Sequence, residues 1–121
     1  MMLGLRKGAF IKLAEPTDKM LGGEGIETSL AAMQIWKCAG LAFGSADAMK
    51  TVEPPFICSE FIYAADWNAR SRTGERSAWT GAKAFGRGRR VVVKVPNLRD
   101  RESADFNDVL MASVPKPAGG R

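Results

Sequence analysis

Lys19-Met20-Leu21-Gly22-Gly23-Glu24-Gly25-Ile26-Glu27-Thr28 is the stretch on which the fold turns. Its first four residues read as a short central strand. The Gly-rich turn 22–25 breaks that strand. A helix is predicted from about Glu27 to Cys38. Ile26, Leu30, Met33 and Trp36 recur at helical spacing, Ala31, Ala32 and Ile35 widen the apolar face, and Gly40 supplies a stop. The unit is therefore strand, sharp turn, helix. It is no phosphate-binding P-loop, because no Gly-Lys-Ser/Thr follows. It is no dinucleotide fingerprint either: Gly23-x-Gly25-x-x-Thr28 lacks the third glycine, and Glu24 would repel a pyrophosphate. Glycines on both sides of Glu24 let the backbone turn sharply and present its carboxylate; the alternative is an ordinary turn with an exposed glutamate.

Working outward, residues 8–14 suggest a short strand and Glu15-Pro16-Thr17-Asp18 a turn. Leu41-Ala42-Phe43-Gly44 reads as another strand, and Ser45 as the cap of a short helix reaching Lys50. Phe56 to Ala65 is the longest β-like run, apolar enough for a strand covered on both faces. A helix starts at Ser71 or Thr73 and ends before Gly86; Gly74, Ala78 and Ala82 give it a face of small residues that can lie close to a sheet. Arg89 to Pro96 is the clearest strand, rich in valine. Residues 97–104 form a polar loop, and Asp105 to Ala112 a short helix in which Phe106 and Leu110 face the core. Strands alternating with helices predict an α/β fold: a Rossmann-like, mainly parallel sheet of four to five strands with helices on both faces. A single domain over 1–121 is expected, with its core at about 9–112 and a flexible tail at 113–121.

In an open α/β sheet, loops at the carboxyl ends of parallel strands converge on one crevice. Three acidic segments sit at such positions: the Glu24 turn, Asp66-Trp67-Asn68, and Asp105-Phe106-Asn107-Asp108. Carboxylates and an amide, in a chain with no histidine, suit a hard oxygen-seeking cation such as Mg2+ or Mn2+. Asp66 and Asn68, two apart in extended backbone, point the same way and can reach one cation. Each segment also has a purely structural reading. Asp66 can close an Asx-type turn, and Asp105 with Asp108 can cap a helix.

The net charge of +5 over 121 residues favours an anionic partner, with nucleic acid the commonest. Arg70, Arg72, Arg76 and Lys94, with Arg87, Arg89 and Arg90, are the basic positions set against that partner; a solvated surface is the competing reading. Trp67 is placed to stack on a base, whereas Trp36 and Trp79 read as packing residues. Cys38 and Cys58 form no CxxC pair, so they are expected as buried free thiols and a Cys/His zinc site is excluded. No apolar run reaches membrane-spanning length and the N-terminus lacks a signal-peptide core, so a cytoplasmic location without membrane contact is expected.

Taken in order, Gly23-Glu24-Gly25-Ile26-Glu27-Thr28, Asp66-Trp67-Asn68 and Asp105-Phe106-Asn107-Asp108 resemble a TOPRIM domain. This is the metal-binding module shared by bacterial-type primases, topoisomerases and related nucleases; the primase-like domains of phage and mobile-element primase-helicases are the subgroup resembled. Residues 9–112 carry the similarity. It implies Glu24 as the catalytic glutamate in Mg2+-dependent phosphoryl transfer, Asp66 as a metal ligand, and Asn68, Asp105 and Asp108 as further candidate ligands. Asn68 departs from the family's second aspartate and brings no charge, which leaves a non-catalytic nucleic-acid-binding or protein-docking module as the alternative. The implied partners are DNA or RNA and a helicase or primase subunit in trans. The domains that polymerising primases need are not supplied here, so a subunit acting in trans or a stand-alone remnant is expected.

Overall fold

The computed structural model describes residues 9–98 and 100–112. The expected tail at 113–121 lies outside them. In chain order the elements are β1 (Ile11–Lys12), β2 (Lys19–Gly23), α1 (Ile26–Trp36), β3 (Ala39–Ala42), α2 (Ala46–Thr51), β4 (Glu60–Ala64), β5 (Trp67–Asn68), α3 (Thr73–Phe85), β6 (Arg90–Lys94), β7 (Ser103–Ala104) and α4 (Phe106–Ala112). The main sheet has the order β1-β3-β2-β4-β6. Its last four members are mutually parallel, and β1 pairs antiparallel with β3 at the edge. This is the predicted α/β architecture, with β2 in the middle.

Alternation along the central strands builds two cores. Met20, Phe61 and Tyr63 join Leu41, Phe43, Met49 and Ala78 on the face covered by α2 and α3. Their neighbours Leu21, Ile62 and Ala64 join Ala31, Ala32 and Phe106 on the face covered by α1 and α4. Burial on both faces is why these strands read as apolar runs. The chain leaves β2 through α1 toward β3 on one side, and leaves β4 through α3 toward β6 on the other. The carboxyl ends of adjacent β2 and β4 are therefore the topological switch point, where such sheets open a crevice.

Several expectations needed correction. The buried face of α1 is Thr28, Ser29, Ala31 and Ala32, while Ile26 and Leu30 are 48% and 43% exposed. The helix is rotated because its two hydroxyl residues are bonded inward. It also ends earlier, at Lys37 in the left-handed region (φ 54), and Gly40 belongs to β3. There a Cβ would lie 2.7 Å from the Met33 side chain, so close helix packing rather than helix termination calls for glycine. The run Phe56–Ser59 is not strand. Pro54-Pro55 starts a turn in which Cys58 N–H donates to Pro55 O, and Phe56 and Ile57 face solvent. The loop at 97–104 contains β7, which pairs antiparallel with β5. Trp79 is exposed rather than packed. Cys58 is a buried free thiol, and Cys38 is only half-buried.

Other expectations hold. Ser45 Oγ accepts the Ala48 N–H and caps α2. Gly86 ends α3, but the buried face of that helix is Gly74, Ser77, Ala78 and Gly81 rather than Gly74, Ala78 and Ala82, and its tightest approach is to α2 rather than to the sheet: a Cβ at Gly81 would lie 2.1 Å from Met49 O. Among the described residues no helix is long and apolar enough to cross a membrane.

Candidate metal and nucleic-acid site

Glu24 stands one residue beyond β2 and Asp66 two beyond β4, at the switch point. The Glu24 backbone is held by β3's extension: its carbonyl accepts the Gly44 N–H at 2.8 Å, and the Gly23 carbonyl accepts that of Phe43 at 2.9 Å. Asp105 and Asp108 enter from the amino end of α4. They form a reciprocal capping box: Asp105 Oδ1 accepts the Asp108 N–H and Asp108 Oδ2 accepts the Asp105 N–H, each at 2.9 Å. The structural reading of this pair is therefore satisfied. Each carboxylate nevertheless has a second oxygen, and both residues border the cleft.

Glu24, Asp66, Asp105 and Asp108 line one cleft of about 340 Å³, with Asn68, Thr73 and Gly74 on its wall. A second lobe of about 410 Å³ shares Glu24, Asp66 and Asp105 and runs along the start of α1. Gly74 keeps the wall thin: a Cβ there would stand 3.2 Å from Asp66 O and 3.7 Å from Glu24 Oε1. Burial first, then the charges of Glu24 and Asp105, lift Asp66 to a pKa of about 6, against the pull of a hydrogen bond from Thr28.

The donor chemistry fits a hard cation, since every candidate ligand offers oxygen. Among the described residues, however, no three His, Cys, Asp or Glu side chains stand close enough to form a ready-made cage. Mg2+ commonly uses one or two carboxylates, retained waters and substrate phosphates, and it does not require such a cage. Asn68 is differently employed: its Oδ1 accepts the N–H groups of Arg70 and Ser71, each at 3.0 Å, so the Asx-type turn forms at Asn68.

Among the described residues, those lining the two lobes include no Lys or Arg. Arg72 lies over the Trp67 ring, 5.0 Å from its centroid, and its left-handed backbone (φ 52) precedes α3. Arg70 reaches Glu102 at 3.7 Å with both side chains largely in solvent, a weak pairing. Arg76 donates to Ser71 O and, with Lys50, Thr73, Ser77 and Thr80, lines a neighbouring cleft of about 310 Å³. Lys94 is exposed at the carboxyl end of β6, beside the strand that leads to Asp66. Arg89 and Arg90 are at the other end of the sheet, where Arg89 is buried against Pro55 O and Glu53. Trp67 is 6% exposed and donates to Arg101 O, so it packs rather than stacking on a base.

Ser29 escaped sequence reasoning altogether, and Thr28 entered it only as the last residue of the Glu24 motif, with no bonding role. Thr28 Oγ1 donates to Asp66 Oδ1 at 3.3 Å, and Ser29 Oγ accepts the Gly23 N–H at 3.0 Å. The signal for Ser29 is polarity on a helix face that packs inward, and apolar spacing places that face elsewhere; Thr28 carries the further signal of its place in the Glu24 motif.

The family model described as Toprim domain matches residues 19–115. No curated protein and no solved structure gives a match.

Proposed function

The chain belongs to the Toprim domain family, and from that premise we propose that it carries out Mg2+- or Mn2+-dependent phosphoryl transfer on nucleic acid, as a primase-like component of DNA replication. The observation that supports this reading is the meeting of Glu24, Asp66 and Asp105 along both lobes of one cleft. The cation, when bound, supplies charge stabilisation for a transferring phosphoryl group. Glu24 is assigned the proton-handling role that the family resemblance implies for it, and its place on a glycine-flanked turn bordering both lobes is compatible with that role. Asp66, Asp105 and Asp108 offer carboxylate oxygens to the cation. Arg76 and Lys50, which line the neighbouring cleft, provide positive charge for a phosphate backbone, with Arg72 and Lys94 as further basic groups. Thr73 borders both the acidic and the basic cleft and connects them.

The test is extension or cleavage of labelled single-stranded DNA with nucleotides and either cation. Glu24→Gln should remove the activity while leaving the circular dichroism and melting temperature unchanged. A retained rate in the folded variant sinks the assignment. A non-catalytic nucleic-acid-binding module is the second reading, favoured by the engagement of Asn68 Oδ1 with two backbone amides. It expects no turnover in the same assay, and binding that persists with the divalent ions chelated.

A further inference from the structure

We propose that Thr28 and Ser29 are the positioning pair of the acidic site: adjacent hydroxyls in the first turn of α1 that fix all three acidic segments relative to one another. The proposal rests on the acidic site proposed above and concerns what assembles it.

Ser29 Oγ accepts the Gly23 N–H at 3.0 Å and donates to Gly25 O at 2.7 Å. These are the residues on either side of Glu24, so one hydroxyl brackets the glutamate and sets the turn that presents it. Thr28 acts on the other two segments. Its Oγ1 accepts the Phe106 N–H at 3.1 Å, the first amide of α4. A hydroxyl has one proton, and that proton is directed to Asp66 Oδ1 at 3.3 Å. The latter bond is long for hydroxyl to carboxylate, so it orients more than it stabilises. Thr28 and Ser29 are 4% and 0% exposed, and buried hydroxyls are held to their partners by the cost of leaving them unpaired.

Gly23 shows how tightly the pair is built in. A Cβ there would stand 2.7 Å from Ser29 Oγ and 2.9 Å from Thr28 Cγ2. Only glycine lets both side chains approach the end of β2. The bonds run from α1 to β2, to the end of β4 and to α4, segments separated in sequence by as many as 78 residues. Groups that orient metal ligands commonly alter metal affinity by about 10- to 100-fold when removed.

The experiment compares wild type with Thr28→Val, Thr28→Ser and Ser29→Ala by residue-resolved NMR. Amide hydrogen exchange is followed in the metal-free protein, and Mn2+ broadening of the Glu24, Asp66 and Asp105 signals is titrated. Thr28→Val should speed exchange at Phe106 and raise the Mn2+ concentration for half-broadening by about tenfold. Thr28→Ser, which keeps the hydroxyl, should restore both. Ser29→Ala should speed exchange at Gly23 and shift the Glu24 resonance. A melting temperature for each variant separates positioning from stability, since a merely structural Thr28 would lower it without changing the Mn2+ affinity of the folded protein. Unaltered Mn2+ affinity in folded Thr28→Val, or failure of Thr28→Ser to rescue, overturns the proposal. If wild type itself shows no localised broadening, the metal-site reading fails. The pair is then judged on exchange alone: unchanged Phe106 and Gly23 amides overturn it, and accelerated ones uphold it.

Discussion

Asp66 concentrates the electrostatics of the molecule in one side chain. Its pKa is raised from 3.8 to about 6 by burial and by Glu24 and Asp105. A raised carboxyl binds its proton more tightly in the folded state, so its ionisation opposes folding. That penalty is absent below about 3.8, grows as pH rises, and is complete above about 6. Without divalent ions, Asp66→Asn should therefore be more stable than wild type at pH 7, by on the order of 1 kcal/mol after allowance for partial solvent screening. The advantage should vanish near pH 4, and denaturant unfolding across that range measures it. Saturating Mg2+ at pH 7 should stabilise wild type and leave Asp66→Asn nearly unaffected, reversing their order. The motif Glu24-Gly25-Ile26-Glu27-Thr28 was legible as a carboxylate-bearing turn because glycine spacing is a local property. The use of Asn68 Oδ1 within its own turn and the burial of Trp67 were not, because each depends on how residues 67–72 fold against 101–104.

At the scale of elements, the fit of α3 between α2 and the sheet is set by small residues. A Cβ at Gly81 would lie 2.1 Å from Met49 O, a backbone atom that cannot swing aside. Gly81→Ala gains helix propensity of about 1 kcal/mol. Overpacking should nevertheless outweigh that gain and leave a net loss of about 1–2 kcal/mol in urea unfolding. Gly74→Ala tests the same helix at the cleft, where the contact with Asp66 O is only tight, at 3.2 Å. It should cost less stability than Gly81→Ala, and it should weaken Mn2+ binding. Gly74 and Ala78 were readable from i, i+4 spacing, a local property, but Gly81 and the contact with α2 were not, because that series continues to Ala82 and the packing partner is set by the fold. The phase of α1 was not: apolar spacing chose Ile26 and Leu30, whereas Thr28 and Ser29 turn inward to bond β2, β4's end and α4. Likewise Phe56–Ser59 had strand composition but follows two prolines, and the Asp18 carbonyl, which accepts the Ser59 and Glu60 N–H groups, fixes where β4 begins.

For the whole molecule, a net charge of +5 coexists with an acidic cleft at the switch point. Association with single-stranded nucleic acid should weaken with salt, with a log–log slope of about −0.7 per phosphate neutralised. Replacing Arg76 by alanine should reduce that slope by about 0.7, one contact's share, as measured by fluorescence anisotropy over a salt series. A slope of zero would remove the phosphate-backbone reading. The alternation of strands and helices, the glycine-flanked Glu24, and the order of the three acidic segments were determined by the sequence itself, because period, turn chemistry and chain order are short-range properties. The tertiary structure alone decided which carboxylates share a cleft, that Lys50 and Arg76 line a neighbouring one, and that the hydroxyls of Thr28 and Ser29 join the parts of the acidic site. The reason is physical: closing a chain over 38 or 78 residues, as the two Thr28 bonds do, depends on how both faces of the sheet are packed, and no local pattern records that packing.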